Sequence, residues 1–226
     1  MLVKNWMSTP VITVNADDYM QHAIKLLNDR SIRILPVLKK GELVGIVTDR
    51  DLKRASASDA SSQEIHALSV LLSTIKIKNV MTKTPITVPP DYTVEETALV
   101  LLEHKISGVP VVDSTGEIVG IITQSDIFRV MISLTGVGKK GIQFAFEVED
   151  RPGTVKEVTD IIRDAGGRIV NVLTSNEMAP AGYRRVYIRA YQIDRKKLPV
   201  LQKTLRETAN ILYMIDHREG ARTVYC

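Results

Sequence analysis

The chain has 226 residues, of which 44% are hydrophobic and 25% charged, and its formal net charge is +4. This composition fits a folded globular protein with one or two domains, or several small modules. The scattered basic residues, with only three Phe and one Trp, argue against nucleic-acid binding. Cys226 is the only cysteine, and no apolar run is long enough to cross a bilayer, so we expect a cytoplasmic protein with no membrane segment.

A unit of about 50 residues occurs twice. Residues 3–14 align with residues 77–88, and residues 30–38 align with residues 104–112. The sequence "GELVGIVTDRDLKR", residues 41–54, returns as "GEIVGIITQSDIFR", residues 116–129. Such self-similarity predicts two copies of one structural module.

Each copy predicts the element order β-α-β-β-α, which indicates an α/β (α+β) fold. In chain order the predicted elements are a short strand, an amphipathic helix, two strands and a helix that opens at Thr-x-x-Asp. The ranges are 11–14, 19–28, 34–38 and 43–47 in the first copy and 86–88, 94–104, 109–112 and 118–122 in the second. The intervening residues become helical near Gln63 and are predicted to link the two copies.

A third module follows the repeats. Gly136, Gly138 and Gly141 spell G-x-G-x-x-G, but the motif follows a helix and precedes a strand, so it predicts a linker and not a dinucleotide fingerprint. The predicted strands are 142–148, 168–175, 183–191 and 211–216, and the predicted helices are 154–164 and 196–208. This β-α-β-β-α-β order is the ferredoxin-like arrangement.

These patterns predict six segments. They are a first repeat unit, a helical linker, a second repeat unit, a glycine-rich linker, the βαββαβ module and a C-terminal tail, at residues 1–58, 59–76, 77–135, 136–141, 142–216 and 217–226.

The repeated Thr-x-x-Asp, at Thr48 to Asp51 and Thr123 to Asp126, has two interpretations. It is a helix cap, in which the side chains satisfy free backbone groups. It is also suited to a ligand, because a helix N-terminus attracts anions and a carboxylate can accept both hydroxyls of a ribose. On the second interpretation, Gly45 and Gly120 would leave room for that ligand.

The repeated pattern resembles the cystathionine-β-synthase (CBS) domain. The resemblance rests on Met-Ser/Thr before the first strand, Pro-Val on the second, and G-h-h-T-x-x-D after the third. It implies a pseudo-symmetric pair with two clefts for an adenine nucleotide (AMP, ADP or ATP), NAD or S-adenosylmethionine as a regulatory ligand. By resemblance, the nucleotide-binding residues are Thr48, Arg50, Asp51, Arg33, Ile86 and Ile106 for the first cleft, and Thr123, Asp126, Ile12 and Ile32 for the second.

The two clefts are predicted to differ in charge. Arg33 and Arg50 are assigned to the Asp51 cleft, whereas Ser107 and Ser125 take their places in the other repeat. We therefore expect the Asp51 cleft to prefer phosphorylated ligands and the Asp126 cleft to discriminate less. The alternative is that the arginines are solvated surface charges and the four isoleucines are ordinary core residues.

The third module resembles an ACT domain, because "DRPG" joins its first strand to its first helix and Asn171 lies early on its second strand. The resemblance implies an amino-acid site at an interface between two copies, with Asp150, Gly153 and Asn171. A carboxylate such as Asp150 is poorly suited to hold the carboxylate of an amino acid, so the alternative is that the module only dimerises. Two CBS units followed by ACT resemble the acetoin-utilisation AcuB-like proteins.

No sequence pattern indicates catalysis. The four histidines lack metal-ligand spacing, and neither a Walker loop nor a nucleophile elbow is present. We therefore expect a non-enzymatic protein that requires no cofactor and senses a metabolite on behalf of an unidentified regulated partner. The CBS and ACT resemblances also imply a homodimer that associates through both modules. The alternative is an oligomerisation scaffold whose ligand sites are vestigial.

Overall fold

The computed structural model of the chain describes residues 1–58 and 74–225. The described residues form two compact units, the first spanning Met1 to Val130 and the second beginning at Met131. The helix predicted near Gln63 lies outside the described residues.

The first unit contains the two repeats, each with the predicted order of helices and longer strands. The first repeat comprises β1 (Val14–Asn15), α1 (Met20–Asp29), β2 (Ile34–Lys39), β3 (Glu42–Thr48) and α2 (Asp49–Ser58). The second comprises β4 (Thr82–Lys83), α3 (Val94–Glu103), β5 (Gly108–Val112), β6 (Ile118–Thr123) and α4 (Gln124–Thr135), whose residues from Met131 onward belong to the second unit. The strands pair in the order β1-β2-β3-β4, with β5-β6 as a separate two-stranded sheet.

Each repeat contributes its first residues to the other repeat. Val3, at the start of the first repeat, is fully buried in the core of the second. Ile77, at the start of the second repeat, is fully buried in the core of the first. Strand pairing follows the same exchange, because β4 pairs with β3 of the first repeat, and Ser8 forms a bridge with Ile121 of the second. One repeat alone would therefore lack part of its core.

The repeated glycines Gly45 and Gly120 permit this exchange. A Cβ atom at Gly45 would lie 2.6 Å from Met81 Sδ and 2.9 Å from the Thr82 carbonyl oxygen, and one at Gly120 would overlap the Met7 side chain. The expectation that these glycines make room for a ligand was wrong. The space beside each glycine is already filled by a methionine near the start of the opposite repeat, Met81 at Gly45 and Met7 at Gly120.

The second unit has the βαββαβ order expected from the sequence. Its elements are β7 (Ile142–Glu149), α5 (Thr154–Asp164), β8 (Arg168–Ser175), β9 (Tyr183–Tyr191), α6 (Leu198–Thr208), β10 (Asn210–Asp216) and β11 (Ala221–Val224). The antiparallel sheet has the order β11-β10-β7-β9-β8. Strand β11 falls in residues 217–226, which the sequence analysis described only as a tail; it pairs with β10 and extends the sheet by one strand.

One face of this sheet carries the core of the unit. Phe144, Phe146, Val186 and Ile188 lie at alternate positions of β7 and β9 and are fully buried in this core. Alternate positions of a strand face the same side of the sheet. The glycine-rich residues 136–141 lie between the end of α4 and the start of β7. Among the described residues, no helix is long and apolar enough to span a membrane.

The exchange of segments predicts that Gly45→Ala destabilises the first unit. The added methyl group would have to displace backbone at Thr82, and overpacking of this kind costs about 1–3 kcal/mol. Gly138→Ala is the matched control, since a Cβ atom there meets nothing within 4 Å. Chemical denaturation of both variants measures the effect, and equal stabilities would contradict the close packing.

Candidate functional site: two clefts at paired helix starts

The Thr48–Asp51 pair begins helix α2 at the end of strand β3. The Thr48 N–H and hydroxyl both donate to Asp51 Oδ2, at 3.0 and 2.7 Å, and the Asp51 N–H donates to Thr48 Oγ1 at 3.2 Å. These reciprocal bonds are a capping box with Asp in the place of Glu. Among the described residues, Asp51 Oδ1 has no hydrogen-bond partner, so one carboxylate oxygen is available to a ligand.

The Thr123–Asp126 pair has a similar geometry at the start of α4, but here both carboxylate oxygens have a hydrogen-bond partner. Thr123 donates to Asp126 Oδ2 through its N–H at 2.8 Å and its hydroxyl at 2.7 Å. The other oxygen, Oδ1, accepts a 2.8 Å hydrogen bond from Arg129 Nη2. Asp126 is also buried, with 2% of its surface exposed.

Asp51 lies in a cleft of about 430 Å³ built from both repeats. This volume falls in the range of small-molecule sites. The first repeat contributes the start of α2, and the second repeat contributes an apolar wall and a cation. The functional lining residues are Thr48, Arg50, Asp51, Arg54, Ile86, Lys105, Ile106 and Ser107.

Asp126 lies in the pseudo-symmetric cleft, of about 530 Å³. Here α4 of the second repeat provides the helix start, and the first repeat provides the apolar wall. The functional lining residues are Ile12, Ile32, Arg33, Ser107, Thr123, Ser125, Asp126 and Arg129. The four predicted isoleucines thus lie where the sequence analysis placed them, each pair opposite the Asp of the other repeat.

Arg33 lies in the other cleft from the one predicted. It lines the Asp126 cleft, together with Ile32 and Ile34, and does not line the Asp51 cleft. The segment before β2 faces the opposite repeat, so Arg33, like its neighbour Ile32, lines the cleft that contains Asp126 of that repeat. Ser107, the equivalent residue of the second repeat, lines both clefts. The expected contrast between a cationic and an uncharged cleft was therefore wrong, because both clefts contain arginine.

Three cations of the clefts were not predicted from the sequence. Arg54 and Lys105 line the Asp51 cleft, and Arg129 lines the Asp126 cleft. Arg54 and Arg129 could have been found from the sequence, because an arginine occupies the last position of the 14-residue repeated sequence in both copies. One turn after the Asp, each lies near the start of its helix. Lys105 comes from the opposite repeat, and its position in the sequence carried no such signal.

The three residues predicted for an amino-acid site are not brought together in one chain. Asn171 is paired with Arg189, which is paired with Gln143 on β7. Asp150 follows Gln143 by seven residues along an extended strand, a separation of about 24 Å. A shared site would therefore need two copies of the chain.

Two of these predicted residues already have partners. The Asn171 side-chain amide donates to the Leu134 carbonyl oxygen at 2.7 Å. Asp150 forms an ion pair with Arg184, which neutralises its charge. Gly153 has a φ of +97° and precedes α5, as the predicted turn requires.

Arg189 is a buried cation that the sequence analysis did not identify. Its Nε donates to the Thr135 carbonyl oxygen at 2.8 Å, beside the bond from Asn171, so both side chains cap the end of α4. The negative end of the helix dipole partly balances the guanidinium charge. Burial lowers the pKa of Arg189, since no carboxylate of the described residues pairs with it.

The described residues hold no cluster of three or more His, Cys, Asp or Glu side chains that could bind a metal ion. The polar side chains that line the clefts are hydroxyls, carboxylates, arginines, a lysine and the amide of Gln124. These groups recognise hydroxyl-rich and anionic ligands.

Comparison with known proteins matches the repeats to one family. The family model of the CBS domain matches residues 3–58 and 77–133. A CBS domain-containing protein from Dictyostelium discoideum is 34% identical over 135 residues, which are 59% of this chain and 93% of that protein. An inosine-5'-monophosphate dehydrogenase from Korarchaeum cryptofilum is 36% identical over 118 residues, but these are 52% of this chain and only 22% of that enzyme.

Two solved structures are similar to the same part of the chain. The CBS domain pair of protein MJ0100, in complex with 5'-methylthioadenosine and S-adenosyl-L-methionine, is 34% identical with a TM-score of 0.51. The match covers 62% of this chain and 98% of that one. A putative acetoin utilization protein (AcuB) from Vibrio cholerae is 28% identical with a TM-score of 0.51, over 61% of this chain and 95% of that one.

Proposed function

The chain belongs to the CBS domain family, and on that premise we propose that it is a regulatory protein that senses adenosyl compounds in its two clefts. The candidate ligands are AMP, ADP, ATP, NAD and S-adenosylmethionine. The similarity to an adenosyl-bound CBS pair supports this ligand class. We propose no catalytic activity, because the chain matches only about a fifth of the dehydrogenase to which it is similar.

The unpartnered Oδ1 of Asp51 is the observation that carries the proposal. It lies at a helix start, inside a cleft, on a carboxylate whose other oxygen is fixed by Thr48. A fixed carboxylate with one free oxygen is a preorganised acceptor for a ribose hydroxyl, and a charge-assisted hydrogen bond of this kind is strong.

The other lining groups of the Asp51 cleft suit the remaining parts of an adenosyl ligand. Ile86 and Ile106 offer an apolar surface to the base. Arg50, Arg54 and Lys105 offer positive charge to phosphates. Among the described lining residues, the carboxylates that could pair with these cations in place of a phosphate are those of Asp49 and Asp51. One cleft thus provides the three kinds of contact that a nucleotide needs.

The second unit is proposed to be an ACT domain that binds an amino acid between two copies. Its βαββαβ order and the Gly153 turn support the assignment, and the separation of Asn171 from Asp150 is consistent only with a site shared between chains. The alternative is that this unit contributes dimerisation alone, as in a scaffold protein. The engaged side chains of Asn171 and Asp150 favour that alternative.

We also propose that the protein is a homodimer that associates through the helices of the second repeat. Leu99, Leu102 and Phe128 on α3 and α4 are 58%, 70% and 59% exposed. The equivalent positions of the first repeat include Lys25 and Lys53, which would repel a second copy. We infer that the apolar face formed by Leu99, Leu102 and Phe128 packs against the same face of a second chain, related by a two-fold axis.

The ribose interpretation predicts that Asp51→Asn weakens AMP binding at the first cleft about ten- to a hundredfold. The amide keeps an acceptor for the Thr48 N–H but turns the free oxygen into a donor, and hydrogen bonds to charged groups contribute roughly 1.5–3 kcal/mol. Isothermal titration calorimetry in an Asp126→Asn background isolates this cleft.

Two further variants test whether Asp51 binds the ribose. Asp51→Ala, which also removes the cap, should bind AMP equally weakly and unfold more easily. Asp91→Ala removes an exposed carboxylate that lines neither cleft and should bind normally. Unchanged AMP affinity in Asp51→Asn, with lowered stability in Asp51→Ala, would leave Asp51 as a helix cap only.

The dimer proposal predicts that Phe128→Glu raises the dimer dissociation constant at least about tenfold, because burying a Phe side chain contributes roughly 1.5–3 kcal/mol. Lys53→Glu is the matched control at the equivalent position of the first repeat and should leave association unchanged. Sedimentation velocity at micromolar concentration distinguishes these results. A monomeric wild-type protein would refute the dimer, and a fully dimeric Phe128→Glu would refute this interface.

A further inference from the structure

The ion pair between Arg129 and Asp126 closes the ribose acceptor of the second cleft. Arg129 Nη2 lies 2.8 Å from Asp126 Oδ1, and the Asp126 side chain is 3% exposed while that of Arg129 is 64% exposed. Both carboxylate oxygens therefore have partners before any ligand arrives. The side of Oδ1 that faces Arg129 is occupied, so a ribose hydroxyl that binds there must displace the guanidinium.

The equivalent arginine of the first cleft does not form this pair. Arg54 occupies the same position in the repeat and lines the Asp51 cleft, yet the described structure has no ion pair between Arg54 and Asp51. The two clefts thus hold the same Thr, Asp and Arg, with the carboxylate open in one and closed in the other. The Asp51 cleft can therefore serve as a comparison for the Asp126 cleft within the same protein.

We propose that Arg129 is a specificity-determining residue, which makes the Asp126 cleft selective for adenosyl ligands that carry an anionic tail. This inference rests on the proposed function, since it concerns which adenosyl compounds the second cleft accepts. The Asp51 cleft, whose acceptor is free, binds a neutral adenosyl ligand without displacing an arginine from its carboxylate.

The selectivity follows from what the guanidinium loses and gains. A neutral ligand that takes Oδ1 separates Arg129 from Asp126 and offers the arginine nothing in return. A phosphate-bearing ligand takes Oδ1 with its ribose and gives the displaced guanidinium a new anionic partner. The flexible, mostly exposed Arg129 side chain can move, whereas the buried Asp126 is held by Thr123.

A second cation adds to the preference for anions. Arg33 also lines the Asp126 cleft, and Asp126 is the only carboxylate among its described lining residues. Once the ligand engages Asp126, the two arginines are left facing a ligand tail. An anionic tail balances them, and an uncharged tail does not.

The test is Arg129→Gln in an Asp51→Asn background, which leaves the second cleft alone. We expect adenosine affinity to rise by up to about fivefold, because a partly exposed ion pair of up to about 1 kcal/mol no longer has to be broken. We expect AMP affinity to fall about three- to tenfold, because a charge-assisted contact is lost. A merely structural role for Arg129 would lower both affinities together.

Arg54→Gln in an Asp126→Asn background is the matched control at the first cleft. At the first cleft AMP affinity should fall while adenosine affinity stays unchanged, because Arg54 forms no ion pair with Asp51 that adenosine would have to break. Arg129→Lys should retain a preference for AMP, since it keeps the charge. Circular dichroism melts of each variant establish that the compared proteins are folded.

The outcomes separate this inference from the proposed function. If wild-type protein binds neither AMP nor adenosine, the proposed function fails and the inference with it. If AMP and adenosine bind but Arg129→Gln leaves adenosine affinity unchanged or lowers it, the selectivity role of Arg129 is overturned and the adenosyl-sensing proposal stands. Opposite shifts for the two ligands at the second cleft alone support the inference.

Discussion

The exchange of segments between the repeats is the constraint on which both clefts depend. Val3 completes the core of the second repeat and Ile77 completes the core of the first, and each adjoining methionine packs on a glycine of the opposite β-strand. The exchange holds the two repeats in one compact unit. It also places an apolar wall from one repeat opposite the Thr–Asp pair of the other, so neither repeat could form a cleft alone.

Within this symmetric frame, an ion pair distinguishes the carboxylates of the two clefts. The Thr–Asp hydrogen bonds are alike at the two helix starts, but the second carboxylate oxygen is free at Asp51 and bound to Arg129 at Asp126. The free oxygen suits direct recognition of a ribose, whereas the bound oxygen requires an exchange of partners. Two similar sites with different requirements would let one protein respond to two related metabolites, or to one metabolite over two concentration ranges.

The regular elements could be predicted from sequence because their signals are local. Helix α5 and strands β8 and β9 have the predicted bounds, since Gly153, Gly166, Gly167 and Gly182 flank them closely in the sequence. The clefts were predicted in part, because the repeat indicated which residues are equivalent. The position of Arg33, the packing of Met81 on Gly45 and the closure of Asp126 by Arg129 depend on contacts across the repeat interface or on side-chain rotamers. The distance between Asn171 and Asp150 depends on strand register, which local patterns do not specify.

A crystal structure of the protein grown with AMP tests the central claim most directly. The account predicts a nucleotide in the Asp51 cleft, with a ribose hydroxyl within hydrogen-bond distance of Asp51 Oδ1 and the base against Ile86 and Ile106. A nucleotide bound elsewhere, with the Asp51 carboxylate still engaged by Thr48 alone, would contradict it.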